Sequence, residues 1–499
     1  MTFNSLVFLC IFLPLVFLMH SLIPVLRVRN ALLILASLIF YTYGEPVYIL
    51  LLLGSVLLNY VCVLFMTGKT GGRKGILVLA VLLNLSALVF FKYAGFFVES
   101  INNVSGLHIP APEIHLPIGI SFFTFQAMSY VIDVYRGEAE ADRNPFRVLL
   151  YISFFPQLIA GPIVRFRDIA AELRDRRLNI DEAAQGLRRF LFGLAKKVLI
   201  ANTLAESVDT IFAAGPDRIN ILTAWIGAAA FMLQIYFDFS GYSDMAIGMG
   251  RMFGFHFREN FDFPYVATSI KGFWRRWHIS LSTWFREYVY IPLGGNRKGK
   301  VRTGLNKLLV FFLCGLWHGA RWTYVLWGMF HGAFSFLEEA IPRLRKLPRV
   351  LGHIYAMLVV TVGFVIFRAE SVKEAFGMLG RMFAGFDLGA ATMSFTLQQL
   401  TPLFICALVV GILLAGPAER LVKRVRNAEG PVESALKKST ESAEFGKTNS
   451  TQTFVKKIEG SKRETMVQML LYLLAFLLLL WCLLRLSGGT YEPFIYFRF

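Results

Sequence analysis

The sequence predicts an all-α polytopic membrane protein, and three observations support this fold class. First, 56% of its 499 residues are hydrophobic and only 17% are charged, whereas a soluble domain carries about 25% charged residues. Second, many apolar runs reach the length of about 20 residues with which a helix crosses a bilayer. Third, these runs are continuous rather than alternating, so helices fit them better than the strands of a closed barrel.

The apolar segments predict about 10–12 transmembrane or re-entrant helices. They cover residues 3–22, 31–43, 46–66, 76–98, 117–135, 148–164, 190–213, 220–238, 307–341, 351–367, 401–416 and 466–486. The first segment lacks a basic start and a small-residue cleavage site, so we interpret it as a retained helix rather than a signal peptide. The sixth is interrupted by Pro156, Gly161 and Pro162. Basic stretches flank it on both sides, at residues 136–147 and 165–177, so we expect it to enter the membrane and return without crossing. Its broken backbone must then be surrounded by protein or a water-filled cavity.

The distribution of basic residues orients these helices. The net charge of +18 is concentrated between apolar segments, which is typical of the positive-inside rule and argues against nucleic-acid binding. Arg27 and Arg29 follow the first segment, and Lys69 begins a basic run after the third. Both loops are therefore predicted to be cytoplasmic, with the N-terminus and the C-terminus outside. The polar stretch 418–464 is predicted to be a mobile cytoplasmic loop within a single domain of residues 1–499.

No metal site or disulfide framework is predicted. The five cysteines lie in apolar segments without a close pair, and such cysteines pack as small hydrophobic groups. His318 and His331 are thirteen residues apart, which on one continuous helix separates their side chains by about 140°. Neither histidine has Cys or carboxylate groups at ligand spacing, so we expect no metal.

Two polar and aromatic stretches carry the candidate chemistry. Residues 257–300 contain His278, and "GLWHGARWTYVLWGMFHG" (Gly315–Gly332) places His318 inside an apolar region. Ionisable groups are costly in a bilayer, so a histidine there indicates function more strongly than one in a soluble core. A neutral imidazole, which titrates near pH ~6.5, suits general-base chemistry on a hydroxyl. Arg321 is interpreted as an interfacial anchor whose stem lies along apolar surface.

Two apparent motifs fail their structural context. Gly294–Lys300 reads G-x-x-x-x-G-K, but Val301 replaces the Ser or Thr of a phosphate loop and no strand precedes it. In "DFSGYSD", Met245 follows where a nucleophile elbow needs glycine, so a serine hydrolase is excluded. The carboxylates of Asp238 and Asp244 in this stretch either bear on function or fix helix packing, and the sequence favours neither role.

Several motifs resemble those of the membrane-bound O-acyltransferase (MBOAT) family. "RRWHISLSTWFREYVYIPLGGNRKG" is followed by "GLWHGARWTYVLWGMFHG". The stretches "LPIGISFFTFQAMSYVIDVYRG", "FFPQLIAGPIVRFRDI" and "QIYFDFSGYSDMAIGMG" strengthen the similarity. The resemblance covers nearly the whole chain, including the closing "PFIYFRF". It is greatest to the bacterial branch that contains alginate O-acetyltransferase subunit I, and it is specific for the family rather than for the substrate.

The resemblance implies a ring of tilted helices around a thinned centre, with a central tunnel across the membrane. It implies that His318 is the catalytic residue and that His278 is its partner across the tunnel. Arg321 stands where relatives commonly carry Asn, so the tunnel lining differs there. Six further residues are expected to line or support the tunnel: Asp238, Ser240, Tyr242, Asp244, Trp277 and Trp317.

The resemblance also implies the substrates and partners. Acetyl-CoA is the expected donor on the cytoplasmic side of a bacterial inner membrane. The expected acceptor outside is a hydroxyl, either of the polysaccharide itself or of a serine on a partner protein. Membrane lipid and an extracytoplasmic acetyltransferase are the expected partners, and no nucleic acid is expected. Four basic residues near the broken segments are candidate contacts for the donor phosphates, although positive-inside anchoring explains them better: Arg275, Arg276, Arg297 and Lys298.

Three alternatives remain open from the sequence. The same chemistry could transfer D-alanyl or another acyl group, because the sequence does not show the tunnel width. A proton-coupled transporter of polysaccharide or small molecules could use the buried histidines as a relay, although we find none of the internal repeats that transporters often show. A non-catalytic scaffold of a secretion complex is the third, and it should tolerate the loss of His318.

Overall fold

The described residues of the chain form helices and connecting turns. In the computed structural model, residues 1–68, 72–419, 450–489 and 494 are described, without the side chains of 450–464. This part contains no strand, which confirms the predicted all-α class. The first ten helices are α1 (Phe8–Leu22), α2 (Leu26–Thr42), α3 (Ile49–Thr67), α4 (Arg73–Ser105), α5 (Ile120–Arg136), α6 (Pro145–Ser153), α7 (Phe155–Leu158), α8 (Phe166–Arg174), α9 (Ile180–Ala195) and α10 (Asn202–Ala213).

Ten further helices follow α10 in the described part of the chain. They are α11 (Ile221–Met252), α12 (Ile270–Trp274), α13 (Ile279–Phe285), α14 (Gly299–His318), α15 (Trp322–Ala340), α16 (Arg349–Arg368), α17 (Val372–Ala384), α18 (Ala390–Gln399), α19 (Pro402–Ala415) and α20 (Ser450–Ser487). Short π-helical or 3-10 turns lie between the helices, at Lys196–Ala201, Pro216–Arg218, Pro264–Val266, Arg286–Tyr290 and Pro342–Lys346.

Several helices are long and apolar enough to span a membrane alone. Five pass by length and composition in the described part of the chain: α3, α4, α11, α16 and residues Thr465–Ser487 of α20. The pair α18 and α19 passes together but is bent by 67° between its two helices. Other predicted segments form shorter or interrupted helices, such as the 17-residue α5 and the pair α14 and α15, which replaces one segment at 307–341.

The predicted interruption of segment 148–164 is confirmed. Helix α6 ends at Ser153, and the four-residue α7 begins at Phe155. At this break the backbone N–H of Phe155 donates to the hydroxyl of Ser37, 3.1 Å away. Phe155 itself is buried, so protein surrounds the broken backbone, as a membrane-embedded interruption requires.

Four glycines bring α9 and α11 into backbone contact, and we call this contact the glycine seam. Gly186 and Gly193 of α9 face Gly248 and Gly241 of α11. A Cβ atom on any of the four would lie 2.5–2.7 Å from the carbonyl oxygen of the facing glycine. Small residues allow such an approach, which is typical of helix packing in membranes. The seam therefore fixes the position of the polar side chains of α11.

Helices α14 and α15 form a similarly close hairpin. A Cβ atom on Gly315 would lie 2.4 Å from the carbonyl oxygen of Tyr324, and one on Gly328 would lie 2.4 Å from that of Phe311. The hairpin turns immediately after His318, the last residue of α14. Packing between the two helices therefore positions this histidine.

The polar stretch 418–464 is described only in part. Residues 420–449 lie outside the described residues, as do Lys69 and all of 490–499 except Phe494. The last helix begins at Ser450, so its helical region extends through residues 450–464, which the sequence assigned to a loop. The single domain and the orientation of the termini stay predictions.

Candidate active site

The two histidines expected to act together lie in one buried aromatic cluster. His318 packs against the rings of Trp317, Trp327 and Phe367, with ring-centre distances of 5.0, 5.1 and 5.4 Å. The ring centre of His278 is 6.1 Å from that of the same Trp317. His278 and His318 are 1% and 6% exposed. Trp317 is therefore a shared neighbour of both imidazoles, and the structure brings together the pair that the resemblance implied.

His278 has an unusual backbone. It directly precedes α13 and has φ of 43°, in the left-handed region. Such a conformation is uncommon for a residue other than glycine and is retained where the surroundings enforce it. The backbone of Ile279 donates to the carbonyl of Asn260 at 2.9 Å, which ties this strained turn to the loop that follows α11.

Asn260 also fixes the imidazole of His278. Its Oδ1 accepts from the backbone N–H of Ser280 at 3.1 Å, and its amide nitrogen donates to the hydroxyl of Ser243 at 3.0 Å. A backbone N–H can only donate, so Oδ1 is the acceptor that lies 3.1 Å from Nδ1 of His278. Nδ1 of a neutral imidazole then carries the proton. Nε2 is left with its lone pair and has no hydrogen-bond partner among the described residues.

Sequence reasoning missed Asn260 and Lys92. Asn260 lies in a polar loop, where an asparagine gives no signal of its own. Lys92 was detectable, because it is an ionisable residue inside the apolar segment 76–98 and such residues indicate function by default. Its ammonium nitrogen donates to the carbonyl oxygens of Trp317 and His318 at 2.5 and 3.1 Å. It therefore belongs to the surroundings of the candidate catalytic residue.

The two carboxylates of α11 form ion pairs across the glycine seam. Asp244 lies 2.7 Å from Arg189 and 2.5 Å from Lys196. Asp238 lies 2.6 Å from Lys197. Of the two roles that the sequence left open, this arrangement favours the fixing of helix packing. Each acidic group already has a basic partner from α9 or the turn that continues it.

The other residues expected to support the tunnel lie in different surroundings. Tyr242 stacks between Phe3 and Phe494, with ring-centre distances of 4.5 and 4.6 Å. Trp277 packs 5.1 Å from Phe364, in an aromatic group beside the histidines. Ser240 is buried in α11 and lines a cavity.

This cavity has a volume of about 1580 Å³ and lies between α9, α11, α19 and α20. Its lining includes Ser243 and Asn260, which connect by hydrogen bonds to His278. It is also lined by charged side chains of α9, of the end of α11 and of the loop after α11, among them Arg188, Arg189, Arg251, His256 and Glu259. One cavity thus contains both these charged side chains and the hydrogen-bonded neighbours of His278.

His256, which also lines this cavity, bridges three elements. Its Nδ1 is 2.8 Å from Glu172 of α8, and its Nε2 is 3.3 Å from Glu182 of α9. The hydrogen bond to Glu172, assisted by the charge of Glu182, raises the pKa of His256 above its ordinary value of 6.5 despite partial burial.

The four basic residues proposed as donor contacts do not line the cavity. Arg276 is paired with Asp262 and Glu419, each at 3.3 Å. Arg275, Arg297 and Lys298 are exposed. Their role in binding a donor therefore stays a prediction. In the described part of the chain no group of three or more His, Cys, Asp or Glu side chains is placed to hold a metal ion.

Comparison with known proteins connects this geometry to a family. A model of the membrane-bound O-acyltransferase family matches residues 123–373, a range that includes both histidines. A protein from Azotobacter vinelandii named "probable alginate O-acetylase" is 40% identical over 100% of both chains. A peptidoglycan O-acetyltransferase from Helicobacter pylori is 36% identical over 76% of this chain and 79% of its own.

A more distant relative carries a different acyl group in its name. A teichoic acid D-alanyltransferase from Bacillus subtilis is 28% identical over 52% of this chain and 69% of its own length. The names of these relatives therefore agree on acyl transfer and differ in the acyl group and the acceptor.

Proposed function

The chain belongs to the membrane-bound O-acyltransferase family, and on that basis we propose that this O-acyltransferase moves acetyl groups from acetyl-CoA toward hydroxyls of an extracytoplasmic polysaccharide, with a partner protein completing the transfer. The observation that carries the proposal is the buried pair of His278 and His318 against the shared ring of Trp317. Relatives named for alginate and peptidoglycan acetylation support the choice of acyl group and acceptor.

We assign the proton transfer to His318. The imidazole accepts the proton of the acceptor hydroxyl as the oxygen attacks the carbonyl carbon of the thioester. A C–O bond forms, and the C–S bond breaks with its electron pair remaining on sulfur. The proton then passes from His318 to the thiolate, which leaves as free CoA and returns the imidazole to its neutral state. Aromatic rings around His318 restrict the orientations that its imidazole can adopt. Correct orientation of a reacting group supplies much of the rate of group transfer.

His278 plays a different part in this proposal. Because Asn260 holds the proton on Nδ1, Nε2 of the neutral ring can accept a hydrogen bond but cannot donate one. A ring in this state does not polarise a thioester carbonyl. It orients a bound substrate by accepting from one of its N–H or O–H groups. Of the two roles considered for His278 in the sequence, orientation is therefore the one that we propose.

The cavity between α9, α11, α19 and α20 is our proposed route for the donor. Its lining includes Ser243 and Asn260 next to His278, and it also includes arginine side chains that suit a phosphate-bearing cofactor. Exposed Arg275, Arg297 and Lys298 would act earlier, by attracting the anionic donor to this side of the membrane.

The cellular setting is proposed from the same family membership. We place the chain in the cytoplasmic (inner) membrane of a bacterium, with both termini outside. Acetyl-CoA then approaches from the cytoplasm, and the acceptor lies on the far side. An extracytoplasmic acetyltransferase is the proposed partner that completes the transfer onto the polymer.

A second candidate function is D-alanyl transfer, which the teichoic acid relative favours. Membrane vesicles with the cytoplasmic face outward distinguish the two. Vesicles from alginate-producing cells are given acetyl-CoA that is labelled in its acetyl group. Parallel vesicles are given labelled D-alanine with ATP and a carrier protein. We expect label in the polymer from acetyl-CoA only. Label from D-alanine only would support the second candidate, and loss of polymer export on deletion of the chain, with no acyl transfer from either donor, would support a transporter.

A further inference from the structure

The end of α14 is capped by two consecutive side chains of α4. A helix leaves its last four backbone carbonyls without partners inside the helix. In α14 these carbonyls belong to residues 315–318. The first accepts from the N–H of Gly319 at 3.4 Å, and the second accepts from the hydroxyl of Tyr93. The third and fourth, of Trp317 and His318, accept from the ammonium of Lys92 at 2.5 and 3.1 Å.

This cap replaces the usual one. Many helices end with a glycine in the left-handed region, whose N–H groups bond the last carbonyls. Gly319 has φ of −172°, which is extended backbone, so that arrangement is absent here. A cation near a helix C-terminus also interacts favourably with the helix dipole. Lys92 therefore provides both hydrogen bonds and charge where the chain leaves α14.

Lys92 also fixes the surroundings of the cap. Its ammonium lies 3.3 Å from the hydroxyl of Ser121, at the start of α5, and 6.0 Å from the ring centre of Trp317. The indole N–H of Trp317 donates to the carbonyl of Ser121 at 3.4 Å. The Lys92 ammonium thus connects α4 to α5 and to the end of α14. Its contacts on α14 are with Trp317 and His318, which both belong to the histidine cluster.

We infer that Lys92 is a positioning residue that holds the backbone of Trp317 and His318, and with it the His318 imidazole, in the orientation required for acyl transfer. The inference rests on the proposed function of His318. Lys92 contacts carbonyl oxygens of the protein, so its effect on the reaction passes through His318. Removal of the ammonium leaves two carbonyls at this helix end without their donor, which frees the last residue of α14 to move.

The test compares Lys92→Met, Lys92→Arg and Tyr93→Phe with wild type in inside-out vesicles, at equal amounts of folded chain. Initial rates of label transfer from acetyl-CoA to alginate give kcat and KM for the donor. We expect Lys92→Met to lower kcat about 10- to 100-fold, because a misplacement of about 1 Å can cost that much, with KM unchanged within about twofold. Lys92→Arg, which keeps charge and several donors, should recover most of kcat. Tyr93→Phe removes a neutral cap further from His318 and should cost less than Lys92→Met.

The outcomes separate this inference from the proposed function. If Lys92→Met lowers only the amount or thermal stability of folded chain, and each folded molecule turns over as wild type does, Lys92 is a structural cap and the inference is wrong. If His318→Gln retains full transfer, the proposed function itself fails. Should Lys92→Met not reach the membrane, Lys92→Gln, which keeps a donor without the charge, is measured against the same thresholds.

Discussion

The glycine seam and the histidine cluster both place polar groups inside apolar protein, and they satisfy those groups in opposite ways. Across the seam, Asp238 and Asp244 meet basic side chains at 2.5–2.7 Å. In the histidine cluster, imidazoles are surrounded by aromatic rings, and Nε2 of His278 has no hydrogen-bond partner in the described part of the chain. The ion pairs of the glycine seam therefore serve to hold two helices together. In the histidine cluster, Nε2 of His278 can still accept a hydrogen bond from a bound substrate.

The difference shows that burial alone does not identify function in a membrane protein. Polar contacts between helices in membranes are often structural, and ion pairs across the seam fit that description. A buried imidazole fixed at one nitrogen by Asn260 and open at the other is suited to a substrate instead. Substitutions should therefore affect the two regions differently, with the seam controlling the amount and stability of folded chain and the cluster controlling turnover.

The largest expected effect is on the seam itself. Gly248→Leu would drive a side chain into backbone 2.5 Å away. We expect this change to cost more than the ~1–3 kcal/mol that overpacking typically costs, because two helix backbones would have to separate. We expect little monodisperse protein in detergent by size-exclusion chromatography. Gly54→Leu is the matched control, because a Cβ atom on Gly54 would have no other atom within 4 Å. Normal recovery of the Gly248 variant would contradict the seam.

The next effect concerns the buried ion pair of the seam. Asp238 and Lys197 have side chains only 2% and 5% exposed, and removal of one partner of such a pair costs about 3–5 kcal/mol. Asp238→Asn should lower Tm in detergent markedly. The double variant Lys197→Met/Asp238→Leu should recover most of that loss, because it leaves no unpaired charge. Equal Tm values for the single and double variants would show that the charges are not coupled.

A smaller effect is expected at the exposed basic residues. The double variant Arg297→Gln/Lys298→Gln should raise KM for acetyl-CoA about 2- to 10-fold through lost attraction of phosphate, since each exposed charge contributes up to about 1 kcal/mol. Lys373→Gln, which removes an exposed charge at the start of α17, should leave KM unchanged. If the double variant reduces only the amount of chain in the membrane, positive-inside anchoring accounts for these residues.

The smallest effect is a pH dependence of stability from His256. Its pKa is raised in the folded chain by Glu172 and Glu182, so its stabilising contribution is fully present below the ordinary pKa of 6.5 and is lost as pH rises through the folded pKa. The Tm difference between wild type and His256→Ala should therefore be greatest in acidic buffer and should shrink in alkaline buffer. A difference that grows with pH would contradict the assigned ion pairs.

The sequence singled out two histidines of the candidate site but not the contacts that hold them in place. His278 and His318 stand out because ionisable residues are rare in apolar segments. Lys92 also lies in an apolar segment, but it was not among the predicted site residues. A local stretch of sequence does not show which distant residues it will contact in the fold. Lys92 reaches the carbonyl of a residue 226 positions away, and the four seam glycines identify their partners only once α9 and α11 are packed. Hydropathy also does not register breaks such as the turn after His318, so segment 307–341 was predicted as one helix and forms two, α14 and α15.

The most direct test of the central claim is a comparison of two buried histidines that share a neighbour. His318 and His331 lie 5.1 and 5.3 Å from the ring of Trp327, and only His318 is assigned a role in the reaction. Acetyl content of extracellular polysaccharide is measured in cells that contain equal membrane levels of wild type, His318→Gln or His331→Gln. We predict that acetyl groups are lost with His318→Gln while polymer export continues, and that they remain with His331→Gln. Unchanged acetylation with His318→Gln would contradict the account.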